Sequence, residues 1–394
     1  MSKNLIVNTG SASKKYAIYE RGGEIAFVHL EIGEGGFIST LKTTSGLVKE
    51  KISKKDWDDS LGFLVNLLKS KNIISDKKDI TKVGIRVVAP GLSFQKNSVI
   101  DNQYLRDMKE AEGKAPLHMG MILEEIKKIK KFFGKNIPLV GISDSTFHNQ
   151  MPDKARLYAI PLKDAKKHEI YRYGYHGISL RSIVNKLRSR DDLSEKIVVC
   201  HIGGGVSLTA IKDGVSIDTT MGFTPLEGMV MANRVGDIDS GALVYISEKL
   251  RLNNKRLMSY LNKECGLLGL SGGLSADIRD LLRLDEEENN LDARNALDVY
   301  AYRIKKQIGA YAVALGGLDT IVFSATVGER SFKMRKRICE GLEFLGLKLD
   351  ECINNATEGV EAEISSKDSK VKVFVVKTDE MKVLAEETEQ VKAL

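Results

Sequence analysis

Two segments of the chain have the composition of phosphate-binding turns. Residues 5–15 and 197–207 each pass from a short apolar, β-branched stretch into a turn rich in glycine and small hydroxyl side chains. Glycine lets the backbone approach a phosphate closely, and serine hydroxyls add donors to the backbone N–H groups. Either turn alone is more typical of an ordinary β-hairpin. Two matched turns, one ending in Lys14 and Lys15, favour instead a duplicated domain that binds phosphate between its halves.

Length, composition and charge fit a two-domain enzyme. The chain has 394 residues, more than a single core usually supports. No apolar run approaches the roughly 20 residues that span a bilayer, and the first residues predict a strand rather than a secretory signal, so we expect a cytoplasmic protein without membrane contact. The net charge of +7 favours an anionic small substrate. Lysine clusters such as 127–131 lack interleaved aromatic residues, which argues against nucleic-acid binding.

The distribution of apolar residues predicts an α/β protein. Short β-branched runs are typical of buried strands and are separated by amphipathic stretches; they occupy residues 83–88, 138–142, 197–200 and 319–324. The clearest predicted helix is 295–315, and a terminal helix is expected from Glu380. Residues 359–369 favour a loop with an edge strand, and short hinges are expected near 143–152 and 371–377.

The cysteines indicate neither a zinc site nor a disulfide framework. Cys200, Cys265, Cys339 and Cys352 are widely spaced, without a C-x-x-C pattern. We therefore expect them to be buried small hydrophobic residues.

A series of motifs resembles the acetate kinase family. In chain order these are residues 115–118 (APLH), 144–148 (DSTFH), 173–177 (YGYHG), 218–228 (DTTMGFTPLEG), 233–239 (NRVGDID), 266–272 (GLLGLSG) and 302–306 (YRIKK). The resemblance covers essentially the whole chain. It implies an α/β fold of two duplicated actin-like ATPase (ribonuclease H-like) domains with an interdomain active-site cleft. The implied domains are an N-terminal acetate-kinase domain, 1–148 with 376–394, and a C-terminal nucleotide-binding and dimerisation domain, 149–375.

The resemblance also implies a reaction and its requirements. The expected activity is reversible, direct in-line transfer of a phosphoryl group from ATP to acetate, giving acetyl phosphate and ADP. Mg²⁺ is the implied cofactor, with Mn²⁺ as an alternative, and the implied assembly is a homodimer. A carboxylate acceptor is already ionised at neutral pH, so the site needs charge neutralisation rather than a general base. Guanidinium groups suit this task because they bind carboxylate or phosphoryl oxygens bidentately.

The family pattern implies roles for individual residues in catalysis and acid binding. The implied catalytic residues are Asp144, His176 and Arg234. Arg234 and His176 would stabilise the transferring group, and Asp144 would orient the metal shell or the substrate. The implied acid-binding residues are Arg86 and His118, with an apolar wall of Val88, Leu117, Tyr175 and Pro225 around the methyl group. Taken without their neighbours, His118 is equally well read as a core histidine and Asp144 as a helix cap.

The same pattern implies a metal site and a nucleotide site. Asn8 and Glu380 match the magnesium-associated pair, whose oxygen atoms suit a hard cation. The implied nucleotide-binding residues are Ser11, Ser13 and Lys15 in the first turn; His201, Ile202, Gly203, Gly204 and Gly205 in the second; and Asp277, Ile278, Arg279, Thr326, Val327, Gly328, Glu329 and Arg330 around the nucleoside.

The chain departs from the family pattern in ways that leave the donor and the acid open. Thr326 and Arg330 stand where glycine and asparagine are usual, so GTP or pyrophosphate is an alternative donor. Gly204 replaces an asparagine, and Tyr175 replaces a phenylalanine. One extra methylene changes discrimination by only about 1–3 kcal/mol, so propionate is an alternative acid.

Two other classes of protein are weighed against this interpretation. A sugar kinase of the same fold would use a carboxylate such as Asp144 as a base, and would not need Arg86 for an acceptor carboxylate. A non-catalytic nucleotide-binding protein would keep the turns but lose Arg234, His176 or Glu380. All three residues are present, which favours the carboxylate kinase.

Overall fold

The computed structural model describes residues 2–10, 12–33, 35–114 and 116–392, without the side chains of residues 116–118. The chain divides into two compact units, residues 1–146 with 379–394 and residues 147–378. The units meet at 146/147 and 378/379, and the domain boundaries expected from sequence are 148/149 and 375/376.

An eight-stranded sheet forms the centre of the first unit, in the order β5-β4-β3-β2-β1-β6-β8-β7 over the described residues. Its strands are β1 (Lys3–Thr9), β2 (Ser13–Glu20), β3 (Gly23–Gly33), β4 (Gly36–Thr43), β5 (Gly46–Ile52), β6 (Ile80–Val87), β7 (Ser98–Val99) and β8 (Leu139–Ser143). Strands β1, β6 and β8 are parallel, whereas β1 to β5 pair antiparallel and β7 is antiparallel to β8. The carboxyl ends of β1, β6 and β8 therefore meet at one edge of the sheet.

Helices cover this sheet, and the last of them returns from the end of the chain. The helices of the first unit are α1 (Lys54–Asp58), α2 (Ser60–Ser70), α3 (Asn102–Glu112), α4 (Pro116–Phe133) and α16 (Glu380–Gln390). Helix α16 begins at the cap of Asp379, whose side chain accepts from the Lys382 N–H, and packs on β1, β6 and β8. A Cβ at Gly84 would lie 1.9 Å from Thr388 Oγ1. Glycine on β6 thus lets α16 approach closely enough to bring Glu380 beside that strand.

The second unit contains a six-stranded sheet in the order β11-β10-β9-β12-β14-β13, again over the described residues. Its strands are β9 (Lys196–Ile202), β10 (Val206–Lys212), β11 (Val215–Thr219), β12 (Thr320–Ser324), β13 (Ala362–Glu363) and β14 (Lys372–Val375). Strands β9 to β11 are antiparallel, β9, β12 and β14 are parallel, and β13 is antiparallel to β14. This order and these directions repeat β3-β2-β1-β6-β8-β7 of the first unit, which confirms the predicted duplication.

The predicted elements of the second unit are present with somewhat different bounds: β9 and α12 are longer than predicted, and β12 starts one residue later. Its helices are α5 (Asp153–Arg156), α6 (Leu162–His168), α7 (Gly177–Ser189), α8 (Ser240–Lys249), α9 (Asn254–Lys263), α10 (Gly266–Leu270), α11 (Ile278–Glu288), α12 (Leu291–Leu315), α13 (Ala325–Arg330), α14 (Phe332–Cys339) and α15 (Glu351–Ala356). Helix α12 begins before the predicted residue 295 because the Asn290 side chain caps it by accepting from the Ala293 N–H. It ends at Gly316, which adopts the left-handed conformation.

Both predicted phosphate turns are β-hairpin turns. The first joins β1 to β2, and Gly10 N donates to Ser13 O across it at 2.7 Å. The second joins β9 to β10, with Gly203 N donating to Gly205 O at 3.0 Å. The hairpin alternative therefore describes the geometry of both turns. A hairpin turn is compatible with phosphate binding, because backbone N–H groups in such turns can donate to an anion.

The two lysines after the first turn do not act as a pair. Lys14 is buried in the core, where it donates to Ser60 Oγ at 3.2 Å and to the Trp57 carbonyl. Burial lowers the pKa of Lys14. Because side chains alternate along a strand, only Lys15 shares the face of Asn8, its cross-strand partner.

The thiols confirm the expectation of burial only in part. Cys200 and Cys339 are buried as predicted, but Cys265 is half-buried and Cys352 is exposed. It lies on α15, whose buried position is taken by Asn354 two residues further on. None of the helices within the described residues is long and apolar enough to cross a membrane.

Candidate active site

Four of the predicted site residues meet at the carboxyl edge of the first sheet. Arg86 on β6 donates from Nη2 to Asp144 Oδ2 at 3.0 Å and from Nη1 to Glu380 Oε2 at 3.2 Å. Asn8, at the end of β1, donates from Nδ2 to the same Glu380 oxygen at 3.2 Å. Asp144 follows β8 directly, and its N–H donates to the Val87 carbonyl. Parallel strands and the start of α16 thus place all four side chains together.

Charge dominates this first cluster. Burial by itself lowers the pKa of the Arg86 guanidinium, but the negative charges of Asp144 and Glu380 raise it above its usual value. Arg86 therefore stays protonated under all ordinary conditions. Asp144 is buried and accepts a hydrogen bond from Arg86.

The donor set of this cluster fits a magnesium ion bound largely through water and phosphate. Glu380 and Asn8 provide carboxylate and amide oxygens, which Mg²⁺ prefers. Within the described ranges, no three His, Cys, Asp or Glu side chains gather as a metal-binding group. Mg²⁺ commonly takes only one or two protein carboxylates and keeps waters and substrate phosphates as its other ligands.

A second cluster surrounds the glycine-rich turn of the second unit. His176 begins α7 in the left-handed conformation, with φ of 60°, an uncommon conformation for a non-glycine residue that often marks functional sites. Its Nδ1 is 2.9 Å from Ser207 Oγ, and its ring stacks on His201 with 4.1 Å between centroids. A Cβ built at Gly205 would lie 3.3 Å from His176 Nε2 and 3.5 Å from Arg234 Nη1. Glycine therefore leaves open a space faced by an imidazole and a guanidinium.

Arg234 carries a positive charge into this space without a carboxylate partner among the described residues. Its Nη1 donates to the Pro225 carbonyl at 3.0 Å and approaches Met231 Sδ at 3.5 Å. Burial lowers the pKa of Arg234, though a guanidinium remains protonated at neutral pH. A half-buried, uncompensated guanidinium beside a glycine turn is suited to an anion that arrives with the substrate.

A cavity of about 710 Å³ lies beside the same turn within the second unit. Eight predicted nucleotide-site residues line it: Gly203, Gly204, Asp277, Ile278, Arg279, Thr326, Val327 and Arg330. Its volume is in the usual range for a small-molecule site. Three of the residues that depart from the family pattern, Gly204, Thr326 and Arg330, contribute to its wall.

Other predicted nucleotide residues lie in different surroundings. Ile202 is buried in β9, and Gly328 accepts with its carbonyl from Arg335 Nη1. Glu329 is half-buried, and burial raises its pKa. The Ser13 hydroxyl is hydrogen-bonded to His29 Nε2 at 2.8 Å. Ser11 lies outside the described residues.

The predicted acid wall is described only in part. Val88 packs against the core of the first unit, while the side chains of Leu117 and His118 lie outside the described residues. In the second unit, Tyr175 is buried and its hydroxyl donates to the Phe223 carbonyl at 2.8 Å. Its hydroxyl thus anchors the loop that carries the buried Pro225.

Sequence reasoning missed two groups of site residues. Ser207, which holds His176, is the cross-strand partner of His201, so the hairpin register would have identified it. Leu282 and Arg283 line the cavity about one helical turn after Ile278 and Arg279 on α11, a spacing that helical periodicity would have indicated.

Fold and site together define the class of protein. Both units carry the duplicated actin-like ATPase fold. Each unit places polar side chains at the carboxyl edge of its parallel strands, near a glycine-rich hairpin. In the second unit, a half-buried guanidinium beside a glycine turn and a cavity provides groups of the kind that phosphoryl transfer requires.

Comparisons with known proteins make this assignment specific. The chain belongs to the acetokinase family, whose model matches residues 3–386. The acetate kinase of Bacteroides thetaiotaomicron is 41% identical over 395 residues, with 98% of each chain covered. The crystal structure of Porphyromonas gingivalis acetate kinase is similar with a TM-score of 0.85 and 34% identity, covering 99% of this chain and 100% of that one. A propionate kinase from Francisella tularensis gives a TM-score of 0.87 at 31% identity, with both chains fully covered.

Proposed function

We propose that the protein catalyses reversible phosphoryl transfer from ATP to acetate, giving acetyl phosphate and ADP. Membership of the acetokinase family and the similarity to named acetate kinases support this activity. The observation that carries it is Arg234, half-buried beside Gly205 and His176 without a carboxylate partner in the described part of the chain. A transferring phosphoryl group would supply the missing negative charge.

Each cluster has a distinct task in this reaction. Arg234 and His176 bind the equatorial oxygens of the transferring group and stabilise the charge that develops there. Ser207 and His201 hold the His176 ring in position. Arg86 binds the carboxylate of the acid, and Asp144 orients Arg86. No general base is needed, because the acceptor oxygen carries no proton at neutral pH.

Asn8 and Glu380 would hold Mg²⁺, or Mn²⁺ in its place, which neutralises charge on the nucleotide phosphates when bound. Lys15 lies across from Asn8 on β2 and adds a positive charge on the same strand face. The cavity beside Gly203 would take the nucleoside, with Asp277 and Arg279 at its wall.

The donor and the acid each have a second candidate. Thr326 and Arg330 line the cavity, where the family pattern has glycine and asparagine. Because these side chains change the cavity wall, GTP and pyrophosphate are tested as donors beside ATP. The similarity to a propionate kinase favours testing propionate beside acetate.

The sugar-kinase alternative fits the first cluster less well. Asp144 is nearly fully buried, and its Oδ2 accepts from Arg86 at 3.0 Å. A general base needs access to a substrate hydroxyl, whereas a buried, ion-paired carboxylate is suited to positioning.

We also propose that the protein works as a cytoplasmic homodimer. Helix α8 has no buried residue, and its Val244 and Tyr245 are 60% and 62% exposed. A second copy that covered this apolar face would explain the exposed side chains. Sedimentation measurements would test the assembly: a monomer at micromolar concentration would contradict it.

The activity is tested by trapping the acyl phosphate with hydroxylamine. Acetate, propionate and butyrate are each combined with ATP, GTP and pyrophosphate in the presence of Mg²⁺. We expect fastest product formation with acetate and ATP. Arg234→Ala should lower turnover at least about 100-fold, whereas Arg256→Ala, which removes an exposed ion pair with Glu264, should not. No acyl hydroxamate from any pair would contradict the proposed function.

A further inference from the structure

We propose that a divalent cation opens the acid-binding site by drawing Glu380 away from Arg86. This inference rests on the proposed function, because it concerns how the acid reaches Arg86. Both terminal nitrogens of Arg86 already donate to carboxylates, Nη2 to Asp144 at 3.0 Å and Nη1 to Glu380 at 3.2 Å. The remaining nitrogen, Nε, is buried and has no acceptor among the described residues. Both terminal nitrogens of the guanidinium, and its single positive charge, are thus already shared between two carboxylates before an acid arrives.

Electrostatics opposes the acid as well. One guanidinium and two ionised carboxylates give the cluster a formal charge of −1, from +1 − 1 − 1. An incoming carboxylate would be a third anion around a single cation, and like charges at such distances repel strongly in a partly buried site. This repulsion is relieved when one of the two carboxylates leaves Arg86 for another cation.

Glu380 is the more exposed of the two carboxylates. Its side chain is 19% exposed, against 2% for Asp144. It is the first residue of α16, and its Oε2 contacts both Arg86 and Asn8. A divalent cation bound to that oxygen would compete with the guanidinium for the same electron pairs and would also add two positive charges. Nη1 of Arg86 would then be released toward the acid.

The consequence is a thermodynamic coupling between two ligands. If the cation favours the open state, it strengthens acid binding, and by reciprocity the acid strengthens cation binding. The typical range of such coupling leads us to expect at least a tenfold tighter Kd for the acid with the cation present. The coupling should depend on the negative charge of Glu380.

Direct binding measurements separate this coupling from catalysis. Fluoroacetate is titrated into the protein in saturating ADP, with either Mg²⁺ or EDTA, and its Kd is measured by ¹⁹F NMR. We expect wild-type protein to bind at least tenfold more tightly with Mg²⁺. Glu380→Gln should bind equally in both conditions and more tightly than wild type in EDTA. Glu389→Gln, an exposed change of the same charge on the same helix, should keep the wild-type dependence on Mg²⁺.

The wild-type comparison decides the inference without any variant. Equal Kd values with Mg²⁺ and EDTA, or no binding in either condition, would overturn it. Acyl hydroxamate formation is measured on the same preparation. Active protein with equal Kd values would refute the coupling alone, whereas inactive protein would refute the proposed function.

Discussion

Replacing Gly205 by alanine should remove most of the activity without weakening the fold. Gly205 does not adopt a positive φ, so its backbone accepts an alanine. The added Cβ would lie 3.3 Å from His176 Nε2 and 3.5 Å from Arg234 Nη1. It would fill the space where the proposed phosphoryl oxygens accept from both groups.

The size of the effect follows from these distances. A methyl group in contact with both nitrogens prevents an oxygen from reaching hydrogen-bond distance of either without a shift of the side chains. Loss of one preorganised donor costs about 100- to 1000-fold in turnover, or about 3–4 kcal/mol. We therefore expect kcat/KM to fall at least about 100-fold. The free energy of unfolding should stay within about 1 kcal/mol, because alanine at a compatible backbone also restricts the unfolded chain.

The assay is acyl hydroxamate formation together with urea denaturation of the same protein. Gly204→Ala is the matched control, since a Cβ there would meet nothing within 4 Å. Its kcat/KM should fall less than about tenfold. A Gly205→Ala protein that keeps kcat/KM within threefold of wild type would refute the assignment of this space to the phosphoryl group.

Three further predictions concern stability. Tyr175→Phe should lower the free energy of unfolding by about 1 kcal/mol, because it removes a buried hydrogen bond to the Phe223 carbonyl; an unchanged urea midpoint would contradict this. Arg335→Leu should lower the free energy of unfolding by about 3–5 kcal/mol, since this fully buried guanidinium donates to three carbonyls and to Asn354 Oδ1. Arg335→Lys should lower it less. If both variants lose the same stability in thermal unfolding, the planar arrangement of guanidinium donors is unimportant. Burial alone would raise the pKa of Glu361, but hydrogen bonds from two basic side chains and a backbone N–H lower it to about 2. Because the pKa of Glu361 is lower in the folded than in the unfolded protein, its stabilising effect is present above about pH 4.5 and is lost as pH falls toward 2. The loss should be about 1 kcal/mol of unfolding free energy after solvent screening. Glu361→Gln should flatten the plot of unfolding free energy against pH in this range, and parallel plots for the wild type and the variant would refute the ion-pair role.

The buried Arg335 also shows how the second unit shapes its cavity. Its donors reach the Gly328 carbonyl on α13 and the Asn354 and Thr357 carbonyls at the end of α15. Burial without a carboxylate partner among the described residues lowers the pKa of Arg335 to about 10. This side chain therefore ties together two segments that contribute Val327 and Glu358 to the cavity wall. Loss of the tie should also weaken nucleotide binding.

Local features of the sequence determined the elements. Alternating and continuous apolar runs predicted the strands, because a buried strand must present apolar side chains to the layers around it. The glycine-rich segments predicted two matched turns in a duplicated domain, since short chain reversals need small residues. The order of the motifs predicted the family and thus the residues to examine. Each of these patterns is read from residues that are close together in sequence.

Contacts between distant parts of the chain decided the rest. The pairing of Arg86 with both Asp144 and Glu380 depends on two strands and a helix from the end of the chain. The inward turn of Lys14 and the anchoring of Tyr175 to Phe223 depend on which face each side chain occupies after packing. Hydrogen bonding and charge act over a few ångströms in space, whatever the separation in sequence. The sequence alone therefore indicated which charged residues to examine, and the tertiary structure decided which of them neutralise one another and which, like Arg234, have no carboxylate partner among the described residues.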